Sequence, residues 1–240
     1  GFEPALEDAI RVLGTLGGSL REVEVTHCAA AGWAVGMLLL PHSVDLLADA
    51  LAAHPDLFQP ETLDLLRVGH EIAAATEPCG RDHSGFITWS RSALSTRAAT
   101  NVAGLPWPVR RVVRRHLFNR RQGEIARRLV MRAWDEVFRA VDVVVTPTIP
   151  APPPLIAENR LRLPSGTMSP DKAYLPLTGP MNLAGVPCIS VPCGTAAGGW
   201  PVSLSLTAAR GNDEAVLSLA EAFEDRIGVD PAARIAPGFD

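Results

Sequence analysis

Residues 188–208 read CISVPCGTAAGGWPVSLSLTA. Cys188-Ile189-Ser190-Val191 is a short apolar run with a stop at Pro192, Gly198-Gly199 is a turn signal, and from Pro201 to Thr207 the residues Val202, Leu204 and Leu206 alternate with Ser203 and Ser205. Alternation with period two belongs to a strand with one face buried, so the pair reads as a β-hairpin. Downstream, Asn212 or Asp213 is placed to cap a helix over Glu214–Ile227. Upstream, Val143-Val144-Val145-Thr146 is a β-branched run stopped by Pro147, the pattern of a buried parallel strand delivering its C-terminal end to a loop. Loops in that position often line sites. This one is stiff, because Pro147, Pro150, Pro152, Pro153 and Pro154 each fix φ.

Working toward the N-terminus, residues 4–16 place Leu6, Ile10, Leu13 and Leu16 at helical spacing, with Pro4 suited to the first turn. After Gly17-Gly18, Ser19–Val25 alternates Leu20, Val23 and Val25 with charged neighbours and predicts a half-buried strand. Ser43 stands as an N-cap candidate for a helix over 43–53, and 60–75 reads as another. Residues 76–108 hold no period and read as irregular, as do 158–172. Val109–Val141 is densely charged with a helical apolar spacing, predicting one long or two abutting amphipathic helices. There is no internal repeat.

The chain has 240 residues, 47% of them hydrophobic, enough for a sizeable core. A formal net charge of -4 implies no overall attraction to nucleic acid or anionic membrane. The longest apolar candidate, Ala34–Leu40, ends at Pro41, short of the roughly 20 residues a spanning helix needs, so a soluble, cytoplasmic protein is expected. Gly1-Phe2-Glu3-Pro4 has no initiator Met or signal pattern and reads as a chain already in progress. Cys28, Cys79, Cys188 and Cys193 are far apart and imply reduced thiols, and the six histidines show no metal spacing. Arginines at 110, 111, 114, 115, 120, 121, 127, 128 and 132 are interleaved with Glu124, Asp135 and Glu136, as on a solvated helix face rather than an RNA site. Of the 22 basic residues, Lys172 alone is lysine.

VDVVVTPTIPAPPP (141–154) and TGPMNLAGVPCISVPCGTAAGGWPVSLSLTA (178–208), followed by DEAVLSLAEAFE (213–224), resemble in order and spacing the C-terminal third of the amidase-signature family. Residues 5–26 resemble the helix-strand unit that follows that family's catalytic core. The resemblance implies an α/β fold with a mixed sheet flanked by helices, of which this chain is the C-terminal part. It also implies amide C–N hydrolysis by a serine nucleophile, with a second serine relaying the proton to a lysine and a glycine- and serine-rich loop supplying oxyanion donors. Those parts lie N-terminal to the region resembled. Gly17-Gly18-Ser19 lacks the repeated pattern of that loop, and Lys172 sits in an exposed-looking polar stretch where a neutral amine is hard to maintain. No catalytic residue is therefore assigned, and no cofactor or metal is expected.

The same resemblance places Thr148, Pro150, Thr178, Asn182 and Gly185 near the acyl pocket. Read as residues alone, Asn182 can equally satisfy backbone groups and Gly185 can supply a positive φ before Val186-Pro187. Aminoacyl-tRNA amidotransferase A subunits are a sibling group that usually carries an acidic residue several positions before NLAG. Here Tyr174-Leu175-Pro176-Leu177 has none, which favours a general amidase with a more apolar substrate, the expected substrate being a small-molecule amide. The expected partner is an N-terminal half, covalent or separate, with homo-oligomerisation open. It should meet an exposed apolar sheet edge or face. Two further readings are a non-catalytic binding or scaffold module and a hydrolase that uses Ser190, Cys188 or Cys193.

Overall fold

The computed structural model describes residues 2–73, 120–155, 158, 160–196 and 198–228. The irregular stretch 76–108, the first part of the helix expected from Val109, and Cys79, His83, His116 and Arg110–Arg115 lie outside these residues. The chain divides into two compact units, one of residues 1–25 with 134–240, the other of residues 26–133.

In the first unit, three strands form an antiparallel sheet in the order β1-β5-β4: β1 is Val143–Pro147, β4 Cys188–Thr195 and β5 Pro201–Ala208. β2 (Leu161–Leu163) and β3 (Gly166–Met168) make a separate antiparallel hairpin inside the segment expected to be a polar loop. The fold is α/β, as expected, and the β4–β5 hairpin turns at Gly198 (φ 85) and Gly199 (φ 77). β1, expected to be parallel, is antiparallel, with Thr146 opposite Ser205. Direction is set by the distant strand that β1 meets, and a run of valines carries no record of it. β4 continues through Pro192, which stays opposite Ser203, to Thr195, with the register shift of a bulge at Cys193.

Two helices cover one face of this sheet. α1 (Glu3–Gly14) presents Ala9 and Leu13, and the last helix, α6 (Asp213–Ile227), presents Val216, Ala220 and Phe223; they pack with Val191, Leu204, Leu206 and Ala208. Asn212 occupies the N-cap of α6 without a side-chain cap bond, and Gly228 (φ 64) ends it. The strand expected over Ser19–Val25 does not form: the segment has no regular structure, and Leu20 is 53% exposed. Its alternation met no partner strand among the described residues.

In the second unit, α2 (Ala31–Ala53) packs against α3 (Pro60–Ala73). α2 begins well before Ser43 and runs through Pro41; Ser43, expected as an N-cap, lies inside the helix, where its hydroxyl donates to the Leu39 carbonyl at 2.9 Å. The helical stretch Cys28–Ala53 is therefore long and apolar enough to cross a membrane by length and composition, with a mean hydropathy of 1.4, contrary to the expected stop at Pro41. α4 (Arg120–Val137), whose residues from Trp134 on belong to the first unit, buries Ala126, Val130, Ala133 and Trp134, a stripe at helical spacing. Gly123 allows close approach to α2, since a Cβ there would lie 2.9 Å from Met37 Cβ.

Exposed large apolar side chains among the described residues include Leu39 and Leu46 of α2, Leu65 and Val68 of α3 and, in the first unit, Ile10, Leu155, Trp200 and Leu217. The fifth helix, α5 (Pro170–Ala184), contains Pro176 and Pro180, and begins where a loop was expected to end.

Two glycines separate packing from propensity. At Gly69 in α3 a Cβ would collide with the Leu40 carbonyl oxygen and come within 2.9 Å of Val44 Cγ2, whereas Gly36 in α2 has open space. Alanine in a helix gains about 1 kcal/mol over glycine, but overpacking against backbone costs about 1–3 kcal/mol. Urea titration should thus show Gly36→Ala stabilising and Gly69→Ala destabilising. Phe223→Ala, at a fully buried site, should cost about 3–5 kcal/mol in the same measurement.

Candidate functional site

The sheet face opposite α1 and α6 is built from the alternate residues of the same strands. Register sets Thr146, Ser205 and Ser190 in one row across it, and Val144, Thr207 and Cys188 in the next. Thr148, just past β1, closes the row of hydroxyls. A hydrogen bond joins Thr148 Oγ1 to Ser190 Oγ at 3.0 Å, another joins it to Ser205 Oγ at 3.0 Å, and the Thr148 amide donates to the Ser203 carbonyl at 3.1 Å. Thr207 Oγ1 donates to Cys188 Sγ at 3.3 Å. Ser205 and Thr207 are buried, while Ser190 and Cys188 reach the exposed side of β4.

A hydroxyl has one proton, so Thr148 donates to one serine at most and accepts from the other. The cluster is thus self-satisfied, and no amine, imidazole or carboxylate bonds to it among the described residues. Thr146 Oγ1, in the same row, and elsewhere Trp134 Nε1 and Tyr174 Oη are buried without a partner among those residues.

Of the residues expected to shape a pocket, Thr148 is tied to the sheet and Pro150 is half-buried in the loop beyond it. The other three lie at the C-terminal half of α5. Thr178 Oγ1 donates to the Tyr174 carbonyl at 3.2 Å, and Asn182 Nδ2 donates to the Thr178 carbonyl at 2.9 Å. Both are back-bonds along their own helix. Gly185, with φ 67, is the left-handed C-cap, its amide bonded to the Met181 carbonyl. No hydrogen bond links this group to Thr148 or Pro150 among the described residues.

Ser190 and Ser205, which pair with Thr148, are the residues that motif reading left unassigned to this site. The signal was their place on the non-leucine face of the hairpin, which gains meaning only once β1 is paired beside it. Arg210 was missed as well: its guanidinium donates to the Ala184 carbonyl at 3.3 Å and to Asp135 Oδ1 at 2.6 Å. It thereby ties the end of α5 to α4.

The thiols of Cys28 and Cys193 are both pushed up to about 11 by burial, which disfavours the thiolate. Lys172 stands exposed in the first turn of α5, rather than in a loop, and makes no hydrogen bond or ion pair among the described residues. Nor do those residues contain a group of three or more metal-ligating side chains.

The sequence model of the family described as Amidase matches residues 111–217. Among curated proteins, the A subunit of glutamyl-tRNA(Gln) amidotransferase from Brevibacillus brevis is 33% identical over 110 residues, which cover 45% of this chain and 21% of the relative. Its counterpart from Geobacillus thermodenitrificans is 38% identical over 106 residues, covering 43% and 20%. Among solved structures, an amidase matches with a TM-score of 0.66 at 22% identity over 93% of this chain and 41% of its own. The A subunit of glutamyl-tRNA(Gln) amidotransferase from Thermotoga maritima matches with a TM-score of 0.52 at 22% identity over 94% and 38%. The matches thus span about a fifth of these curated relatives and about two-fifths of these solved chains. Over residues 111–217 the sequence is thus similar to the amidase-signature family, and the fold is similar to that of solved amidase-signature enzymes.

Proposed function

We propose that this chain is the C-terminal part of an amidase that hydrolyses carboxylic amide C–N bonds by a Ser-Ser-Lys mechanism, with those catalytic groups on a part of the enzyme outside residues 1–240. The observation that carries this reading is the isolation of Lys172. A relay needs a desolvated amine within hydrogen-bond reach of a hydroxyl, and the chain's single lysine is exposed on a helix start without a partner among the described residues. The span of about two-fifths of the solved amidase supports the same division. In this reading the exposed leucines of α2 and α3 are surface that the rest of the enzyme covers, and the setting is cytoplasmic with reduced thiols.

The contribution of this part is to the acyl pocket. Thr148 and Pro150 form a stiff wall beyond β1, while Thr178, Asn182 and Gly185 fix the end of α5 that faces it in the assembled enzyme. The substrate is a small-molecule amide. A second reading, the A subunit of an amidotransferase, draws on the curated relatives; against it stands the stretch Tyr174–Leu177, which has no carboxylate to hold an amino-acid ammonium.

Purified alone, the chain should leave a simple aryl amide unhydrolysed; joined to an N-terminal amidase-signature half with its lysine and serine loop, it should turn the amide over. In that assembly Lys172→Ala should leave kcat unchanged. Unaided turnover that disappears in Lys172→Ala or Ser190→Ala would overturn the proposal.

A nucleophilic Cys193 is tested by its alkylation rate. With its thiol near 11 through burial, only about one molecule in ten thousand is thiolate at pH 7. Iodoacetamide labelling of Cys193, followed by peptide mass spectrometry, should therefore rise about tenfold per pH unit from 7 to 10. Fast labelling at pH 7 that levels off below pH 9 would reinstate Cys193 as a nucleophile.

A further inference from the structure

The β2–β3 hairpin belongs to neither the hydroxyl cluster nor the expected pocket. Leu161 is opposite Met168, Arg162 opposite Thr167, and Leu163 opposite Gly166. Leu161 is only 3% exposed and anchors one face of the ribbon. Side chains alternate along a strand, so Arg162 projects from the other face, while Arg160 immediately precedes the strand; both are exposed. With Thr167 and Glu158 they line an open cleft of about 590 Å³.

Two guanidinium groups brought to one cleft repel each other unless an anion lies between them. Among the described residues neither Arg160 nor Arg162 forms an ion pair or side-chain hydrogen bond, so no internal carboxylate ties down either guanidinium. Arg162 and Thr167 face each other across the ladder, which sets a planar fork of N–H donors beside a hydroxyl. That combination matches the two oxygens of a carboxylate.

We propose that this cleft is a binding site for a small molecule bearing one carboxylate, held by Arg160 and Arg162 with the Thr167 hydroxyl as a further donor. Charge decides between oxyanions. Glu158 offsets one of the two guanidinium charges, leaving a single positive charge, which suits a monoanionic carboxylate better than a phosphate of charge near minus two. The volume falls in the range of small-molecule sites, about 300–1,000 Å³. The buried Leu161 fixes which face Arg162 occupies, because a slip of one residue would bury that arginine instead. The site stands on the hairpin alone and does not depend on the amidase reading.

Calorimetric titration of the whole chain with butyrate, its neutral isostere butyramide, and inorganic phosphate tests this. Butyrate should bind saturably, and butyramide and phosphate at least tenfold more weakly. Arg160→Gln and Arg162→Gln should each lower butyrate affinity about tenfold or more, with far-UV circular dichroism and Tm unchanged. Glu158→Gln should tighten butyrate and improve phosphate by a larger factor. Absence of saturable butyrate binding, equal binding of butyramide, tighter binding of phosphate, or undiminished butyrate binding in the Arg160→Gln/Arg162→Gln double variant overturns the proposal.

Discussion

Strand β5 is buried on both faces, and the rest of the first unit is arranged to make that tolerable. Leu204 and Leu206 face α1 and α6 and are at most 1% exposed, while Ser205 and Thr207, pointing the other way, are no more than 4% exposed. Apolar burial is favourable on the first face, but a hydroxyl buried without a partner costs about 1–3 kcal/mol. Each therefore has one: Ser205 bonds to Thr148, and Thr207 donates to Cys188. Those bonds reach to both neighbouring segments, so the hydroxyl face fixes the register of β1 and β4 on β5 as firmly as the leucine face does. A slip of one residue would bury serines against the helices and leave the leucines opposite Thr148.

Reading the sequence succeeds where a local pattern has one structural solution. The Gly-Gly turn, the alternation over 201–207 and the periodic final helix were all legible for that reason. Ser19–Val25 has the same alternation but no partner strand among the described residues, and pairing, unlike periodicity, is not written in a segment. β1 illustrates the complementary point. Its valines predicted a strand correctly, but the antiparallel direction comes from β5, some sixty residues downstream.

Prolines misled in the opposite sense. Pro41, Pro176 and Pro180 look like stops, because each removes an amide that would bond to the residue four before it. All three are inside helices, and Pro41 and Pro180 are among the most deeply buried residues in the structure. For Pro41 and Pro180, packing of that depth offsets the lost bond; the Ser43, Thr178 and Asn182 side chains bond to the Leu39, Tyr174 and Thr178 carbonyls, not to the Met37, Lys172 and Pro176 carbonyls that the prolines leave without an amide. Thr178 and Asn182 were singled out as pocket residues from a motif, and the structure shows the local bonds they make along α5. Of the hydroxyl cluster, Thr148 alone stood out in the sequence, where a strand end and a proline-stiffened loop coincide. Ser190, within a short apolar run, and Ser205, alternating with leucines, did not stand out, because their partner Thr148 meets them only when β1 pairs beside β5.

The order of these elements along the chain constrains how the first unit can fold. Its core joins Ala9 and Leu13 near the start to Val191, Leu206 and Phe223 near the end, with the whole second unit between them in sequence. Contacts of such separation pay the loop-closure cost before they return any apolar burial. α2 and α3, joined by a short connection, can pair from local contacts alone. The β4–β5 hairpin is likewise local, and β1 can add to it through Thr146 and Thr148. α1 has no such neighbour: the strands β4 and β5 and the helix α6 that it packs against all lie far downstream, so its burial depends on contacts of long sequence separation.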